Sequence, residues 1–503
     1  MGPPRVDAVP SPLAHALSRL RVREWRMPRI ETYPRLVAFA QTWPGRLLLA
    51  GSFIGLMKLN SRGMWIEDNH LWLLVAVAPA LVALAGRYRG WALLACTALL
   101  LARFPAWYDY RAVRSAIEQE HLSPAFDTWH LRSMTLIGCA MVAVLALWLA
   151  RRLRDQPLGR RPVLVQHLLL CGLIALAVSH LLHGLPQVVL WSVIATFVVY
   201  FWFLAYALID QRKRRPAPLA YPLATFNPFY WSTPVPIGKG GAHWRTLEAR
   251  TAEELAVTQL KAVKLLAWAY VIKLVLWLLR SIVYGKLGVM PLDRAFEQFL
   301  LVGRAPPLAL ASVIVNFPEQ LLIFALWGHV IVATARFAGF RLLRNTWRPL
   351  GARTIAEFWN RYYYYFKELL VDVYFYPTYL RYCKRSPRLR IALATFMAAG
   401  AGNFFFHLTV MEAHTMARSG IVEALVRSQT YAFYCVLLVT GIVASQLRTQ
   451  RPGPAAGWWR GRAVPFLGVA AFYCFLSFFD GPQRHVSLLE HFRFLGQVAG
   501  LGV

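Results

Sequence analysis

The sequence predicts an all-α fold, a polytopic membrane bundle of about eleven helical spans with one re-entrant or interfacial segment, and three observations carry that prediction. Of the 503 residues, 57% are hydrophobic and only 16% are charged, well below the roughly 25% charge of a soluble domain. The apolar residues are bunched into runs of about 20, the length that crosses a hydrocarbon core of about 30 Å. The cations fall in short segments between those runs, as the positive-inside rule places them. A surplus of 55 Lys+Arg over 24 Asp+Glu, net +31, can mark a nucleic-acid binder, but that needs a solvated basic domain. The dispersed pattern points to membrane lipids as partners and against nucleic acid.

Residues 1–45 form a basic cytoplasmic or interfacial segment, with Arg19, Arg21, Arg23, Arg26 and Arg29 on one stretch. N-terminal spans occupy 46–209, with apolar runs near 46–59, 70–86, 90–106, 133–150, 162–182 and 185–209. Between them, acidic loops holding Glu67 and Asp68, then Glu118, Glu120 and Asp127, alternate with basic loops holding Arg87 and Arg89, then Arg151 to Arg161. With the N-terminus inside, each strongly basic loop lands in the cytoplasm. The expected setting is a multi-pass protein of a bacterial inner membrane.

Residues 210–262 read as a cytoplasmic loop, opening on Gln211 to Arg215 and rich in proline through Pro236. Residues 263–482 form the membrane core, with runs near 263–283, 307–334, 389–411, 424–446 and 463–480, and 483–503 a surface segment. Lys273 and Arg280 interrupt the first of these runs, and Asn316, Pro318, Glu319, Gln320 and His329 the second. Intramembrane polar groups either line a cavity or bond a neighbouring helix. Six dispersed cysteines without CxxC spacing indicate neither a metal site nor a disulfide framework.

Residues 335–390 combine many arginines and lysines with a dense aromatic set from Phe358 to Tyr382. That composition suits the membrane interface, or a floor that enters and turns back beneath a site. A small-residue stretch, Ala398 to Gly402, follows, and then His407 lies deep in an apolar run.

At these residues the chain resembles the membrane-bound O-acyltransferase (MBOAT) family. The matching features are Asn345, Pro349, Thr354, Ile355 and the triplet Glu357-Phe358-Trp359 in order, then Asp372, Tyr374 and Pro377, then His407 after a glycine-bearing run. The resemblance covers about 336–446. Where many bacterial members place Arg-Arg-Trp-His after Phe-Trp, this chain has Asn360-Arg361-Tyr362-Tyr363; Asn360 resembles the asparagine that other members pair with the catalytic histidine.

The resemblance implies a helical bundle enclosing a tunnel, in which an acyl-CoA or another acyl thioester meets a hydroxyl-bearing acceptor: a glycan, a lipid or a small molecule. No cofactor or metal is implied. His407 is the expected general base, because a hydroxyl is a poor nucleophile at neutral pH and histidine titrates near neutrality. Asn360 is expected to orient or to donate to the oxyanion. Trp359, Arg361, Tyr363 and Asp372 are the expected substrate-binding residues. A nucleophilic serine is unsupported, since Gly-x-Ser-x-Gly is absent. The competing reading is a transporter or flippase for a lipid-linked or anionic substrate, using Glu319, His329, Lys273 and His407 as an intramembrane path.

Overall fold

The computed structural model describes residues 28–501 apart from 64–70, 104–109, 123–127, 154, 157–158, 213–215, 227–228, 230–232 and 449–462. The arginines from Arg19 to Arg26, and the acidic loop residues Glu67, Asp68 and Asp127, lie outside the described residues. Every named element among those residues is a helix. One strand-like bridge, between Glu248 and Phe340, ties the loop before a long helix to the segment that carries the signature residues.

Six helices are long and apolar enough to cross a membrane: Trp129–Arg152, Leu185–Gln211, Ala252–Lys286, Ala309–Phe337, Pro387–Met411 and Ala413–Leu447. In chain order the helices used below are α1 (Trp43–Ser61), α2 (Leu71–Leu84), α3 (Gly86–Leu101), α4 (Trp129–Arg152), α5 (Pro162–Val178), α6 (Leu185–Gln211), α7 (Ala252–Lys286) and α8 (Ala309–Phe337). They continue as α9 (Ile355–Tyr362), α10 (Tyr364–Leu370), α11 (Pro387–Met411), α12 (Ala413–Leu447), α13 (Val464–Asp480) and α14 (Leu488–Val498). Such helices satisfy their backbone internally, which a hydrocarbon environment demands.

The eleven apolar runs therefore do not become eleven full-length spans. The runs near 70–86 and 90–106 form the pair α2 and α3, bent by 119° at Gly86, whose φ of 53° suits a residue without a Cβ. At most this pair adds a seventh crossing. The runs near 162–182 and 463–480 give the shorter helices α5 and α13. The run near 46–59 gives α1, which carries Arg46 and Lys58.

Helix α6 is central, with 78% of its apolar window buried, whereas α4 has only 22% and α7 only 28% buried. Exposed Met134, Ile137, Met141, Leu145 and Trp148 on α4, and Leu274, Trp277 and Leu278 on α7, would be an aggregation hazard in water. Against lipid tails they are solvated.

The intramembrane charges resolve into helix ties. Lys273 Nζ donates to the carbonyls of Asn60 (2.9 Å), Leu59 (3.1 Å) and Arg62, where a cation meets the free carbonyls at the end of α1. Asn60 Nδ2 reaches Leu266 O at 3.1 Å, closing the same junction. Glu319 accepts from Arg280 Nε at 2.7 Å and from the Tyr284 hydroxyl. Asn316 Nδ2 donates to Ser477 Oγ at 3.3 Å, and His329 Nδ1 to Ala325 O at 2.6 Å. Replacing Lys273 with Met should lower stability by about 1 kcal/mol, the order of a cation at a helix C-terminus. Heat survival of the detergent-solubilised protein would fall while any turnover per folded molecule stays constant.

Candidate functional site

The segment from Gly339 to Leu370 folds back on itself. Its signature residues hold that turn. Asn345 is buried, and its carbonyl accepts from Tyr364 N at 2.9 Å while its Oδ1 accepts from Tyr365 N at 3.2 Å. Thr346 Oγ1 donates to Tyr362 O at 2.8 Å, and Trp347 N to Arg361 O at 2.9 Å. Gly328 on α8 leaves room for Asn345, since a Cβ there would stand 3.0 Å from its amide. Thr354 caps α9 by accepting from Glu357 N at 3.0 Å, and the Glu357 carboxylate reaches back to Arg353 N at 2.7 Å, the reciprocal arrangement that starts a helix firmly. Arg361 pairs with Glu357, donates to Arg348 O at 3.3 Å and lies 5.3 Å over the Trp347 ring. Its guanidinium clasps the turn.

The other expected binding residues have distinct places. Trp359 is buried, its ring 6.4 Å from Phe366. Tyr363 sits at the break between α9 and α10, its ring 5.5 Å from Phe366 and 5.7 Å from Phe324. Burial pushes the Tyr363 phenol up to about 12, partly offset by a hydrogen bond with Thr233. Asn360 is exposed at a cavity of about 270 Å³, lined also by Trp359, Lys367, Glu368, Thr395 and Gln446.

Asp372 lies on a π-helical turn, Val371–Phe375, directly after α10. It accepts from the Tyr206 hydroxyl of α6 at 3.0 Å and pairs with Lys239 Nζ at 3.1 Å. Lys239 also pairs with Glu368, which a second cation, Lys367, contacts as well. Burial alone would raise the Glu368 carboxyl, but the hydrogen bonds and charges of Lys239 and Lys367 outweigh it and hold it below its ordinary value. Burial likewise disfavours the Lys239 cation, yet the two carboxylates outweigh it and hold its pKa above the ordinary value.

These shifts fix a pH window. The stabilisation from Glu368 is present above its unfolded pKa of about 4.3 and is lost as pH falls through the lowered folded value. That from Lys239 is present below its unfolded pKa of about 10.4 and is lost as pH rises through the raised folded value. Amide exchange in 234–240 should therefore be slow between about pH 5 and 10, against the intrinsic rate, and accelerate beyond either limit. A Lys239→Met variant should lack that window; unchanged protection in the variant would show that the ion pairs do not tether the loop.

His407 occupies the second half of α11, past a π-helical stretch, Phe396–Gly402. A π turn widens the helix and is frequent at functional sites. Asn403 and His407 stand four residues apart and share one face. The Tyr431 ring of α12 lies 4.2 Å from the His407 ring, and its hydroxyl donates to Asn403 Oδ1 at 3.1 Å. The Arg484 guanidinium lies 5.6 Å over Tyr431 and 3.4 Å from Asp480. Two buried polar atoms here have no hydrogen-bond partner among the described residues: His407 Nδ1 and Asn403 Nδ2. Such orphans are rare away from sites that take a ligand or water.

The π stretch is held by close packing. A Cβ on Gly402 would run into the Tyr374 ring. Tyr374 is fixed by His167 of α5, whose Nδ1 lies 2.6 Å from Val163 O and whose Nε2 lies 2.7 Å from the Tyr374 hydroxyl. The carbonyl contact requires the hydrogen on Nδ1, so Nε2 accepts from Tyr374.

Of the expected site residues, Trp359 and Tyr363 join His407 through Phe366, whose ring is 6.1 Å from the histidine. Asn360 borders the separate cavity, and Asp372 and Arg361 are held in ion pairs. Sequence reasoning passed over Asn403, Tyr431, Arg484 and His167. Only Asn403 carried a signal, its four-residue spacing from His407. Among the described residues no three His, Cys, Asp or Glu side chains cluster as a metal set. Comparison with models of known protein families and with curated proteins finds no match to this chain.

Proposed function

We propose that the chain is a membrane-embedded O-acyltransferase of the MBOAT type, moving an acyl group, acetyl or longer, from a thioester donor to an acceptor hydroxyl. The observation that carries this reading is His407: a histidine with a buried nitrogen that has no partner among the described residues, beside the equally unpartnered Asn403 Nδ2, in the helix that follows the Asn345–Trp359 signature. In this reading His407 takes the proton as the acceptor oxygen attacks the thioester carbon. The tetrahedral oxyanion collapses, the C–S bond breaks, and the thiolate regains the proton from the imidazolium. Asn403 Nδ2 is a free donor beside His407 for the oxyanion. Asn360, at its own cavity, contributes to substrate positioning. The bundle is then MBOAT-like, with the broken segment 335–390 as its re-entrant or interfacial part, in a bacterial inner membrane with the N-terminus cytoplasmic.

The transport alternative draws on Glu319, Lys273, His329 and His407; Glu319 and Lys273 are already committed to ties between helices, and His329 Nδ1 to the Ala325 carbonyl of its own helix. The test is mass spectrometry of lipids and glycans from cells carrying wild type, His407→Ala and Asn360→Ala at equal membrane abundance. Loss of an acylated species in His407→Ala, with a partial loss in Asn360→Ala, supports acyl transfer. An acylated species that persists but stays on the wrong membrane face would favour transport instead.

A further inference from the structure

Helices α4 and α5 each pack on α6 but do not close on one another. Between them runs a cleft of about 1050 Å³, lined by residues such as Gly138, Val142, Leu149, Leu169, Leu173 and Val189. It reaches from His130 and Leu185 at one end to Leu153, Gly159 and Pro162 at the other, nearly the length of α4, or about 35 Å at 1.5 Å per residue. The wall offers little to a polar ligand. Thr135 is bonded to Leu131 O at 2.7 Å and to Ser192 at 2.9 Å, and Gln166 Nε2 to Phe201 O at 2.6 Å. Only Gln166 Oε1 among the lining atoms is buried without a partner among the described residues.

The end at Gly159 and Pro162 is strongly basic. Arg151 is engaged, donating to Gln211 and to Ala217 O at 3.0 Å, and Arg152 lies 5.3 Å over Trp148. Arg160 and Arg161 are exposed and have neither a carboxylate nor a side-chain hydrogen-bond partner among the described residues. A long dry slot whose lining passes through Gly159 and Pro162, on either side of these two exposed arginines, is complementary to one kind of molecule. It would take the acyl chains of a lipid along the helices and its phosphate at the arginines, by charge-assisted hydrogen bonds.

The geometry points to a bound anionic phospholipid in this cleft, its chains between α4, α5 and α6 and its headgroup phosphate on Arg160 and Arg161. This inference is independent of the acyl-transfer reading, because the cleft lies on the far side of α5 and α6 from His407. His167 of α5 faces Phe405 and Tyr374 (ring distances 5.0 and 5.6 Å), while its neighbour Gln166 faces the cleft.

The test places the full-length protein in nanodiscs of phosphatidylcholine and phosphatidylglycerol at 3:1, exchanges it into detergent, and counts retained lipids by mass spectrometry. The wild type should retain phosphatidylglycerol at least threefold above its share of the bilayer. Arg160→Glu/Arg161→Glu should bring that ratio to the bilayer value, with Arg160→Gln/Arg161→Gln as the milder pair should the first aggregate. Val142→Trp fills the slot from an exposed position, so it leaves the core unstrained. It should lower the total retained lipid at least twofold. The proposal is overturned by a wild-type ratio equal to that of the bilayer, or by an enrichment that survives both arginine pairs. Recovery of a co-purifying transmembrane polypeptide in place of lipid overturns it as well.

Discussion

His407→Ala should reduce acyl transfer by about a thousandfold, the middle of the range for removing a general base, while leaving the protein monodisperse and equally heat-stable. The side chain has no hydrogen bond at Nδ1 to lose, so truncation removes chemistry and little packing beyond its contact with Tyr431. Asn403→Ala should follow at roughly a hundredfold, the order of losing one oxyanion donor, and Tyr431→Phe should cost less because it removes only the bond to Asn403 Oδ1. Asn360→Ala should act on the apparent affinity for one substrate more than on turnover, since it borders a separate cavity. Initial rates with a radiolabelled acyl thioester and, as acceptor, the unacylated form of the species found by mass spectrometry provide the readout. Equal rates in wild type and His407→Ala would make the histidine a core residue and remove the mechanism.

Gly402→Val should be the most damaging substitution to the fold, destabilising it by about 3 kcal/mol, the upper end for overpacking a tight contact. The added atoms have nowhere to go but the Tyr374 ring, and Tyr374 is itself held by His167. Tyr374→Ala alone should cost a similar amount, as a large, half-buried ring packed against Gly402 and His167 is lost. The two changes together should be less destabilising than their sum, because one creates the space the other needs. Thermal survival of the four proteins in detergent measures this coupling. Strict additivity would mean that the glycine and the tyrosine do not share a contact.

The helical membrane character was legible because it rests on composition and run length, which the chain carries locally. The span count was not. It depended on a bend at Gly86 and on the helices of the runs near 162–182 and 463–480 stopping short of a full crossing, neither of which alters the apolar pattern. The candidate site was legible to the extent that it is local: His407 stands out as a polar group in an apolar run, and Asn345, Thr354 and Glu357 stand out by spacing. Their partners are tertiary. Lys239 meets Asp372 across 133 positions, and Tyr431 reaches His407, with Arg484 over Tyr431 in turn, from separate elements. The charges at Lys273 and Glu319 show the opposite case, since they mark a span conspicuously and yet are taken up in bonds between helices.

The widened turns at Val371–Phe375 and Phe396–Gly402 have a consequence for insertions and deletions. Each accommodates one residue more than an α-helical turn, so the chain beyond it is rotated by about 100°, a single residue's share of 3.6 per turn. Counting in steps of 3.6 from Pro387 therefore assigns Asn403 and His407 to the wrong side of their helix. Removing one residue, such as Ala401, would restore an ordinary helix and turn both side chains away from Tyr431, although no functional group had been altered. A lineage could thus lose the site through a three-nucleotide deletion while its composition, hydropathy and motif spelling stayed almost unchanged.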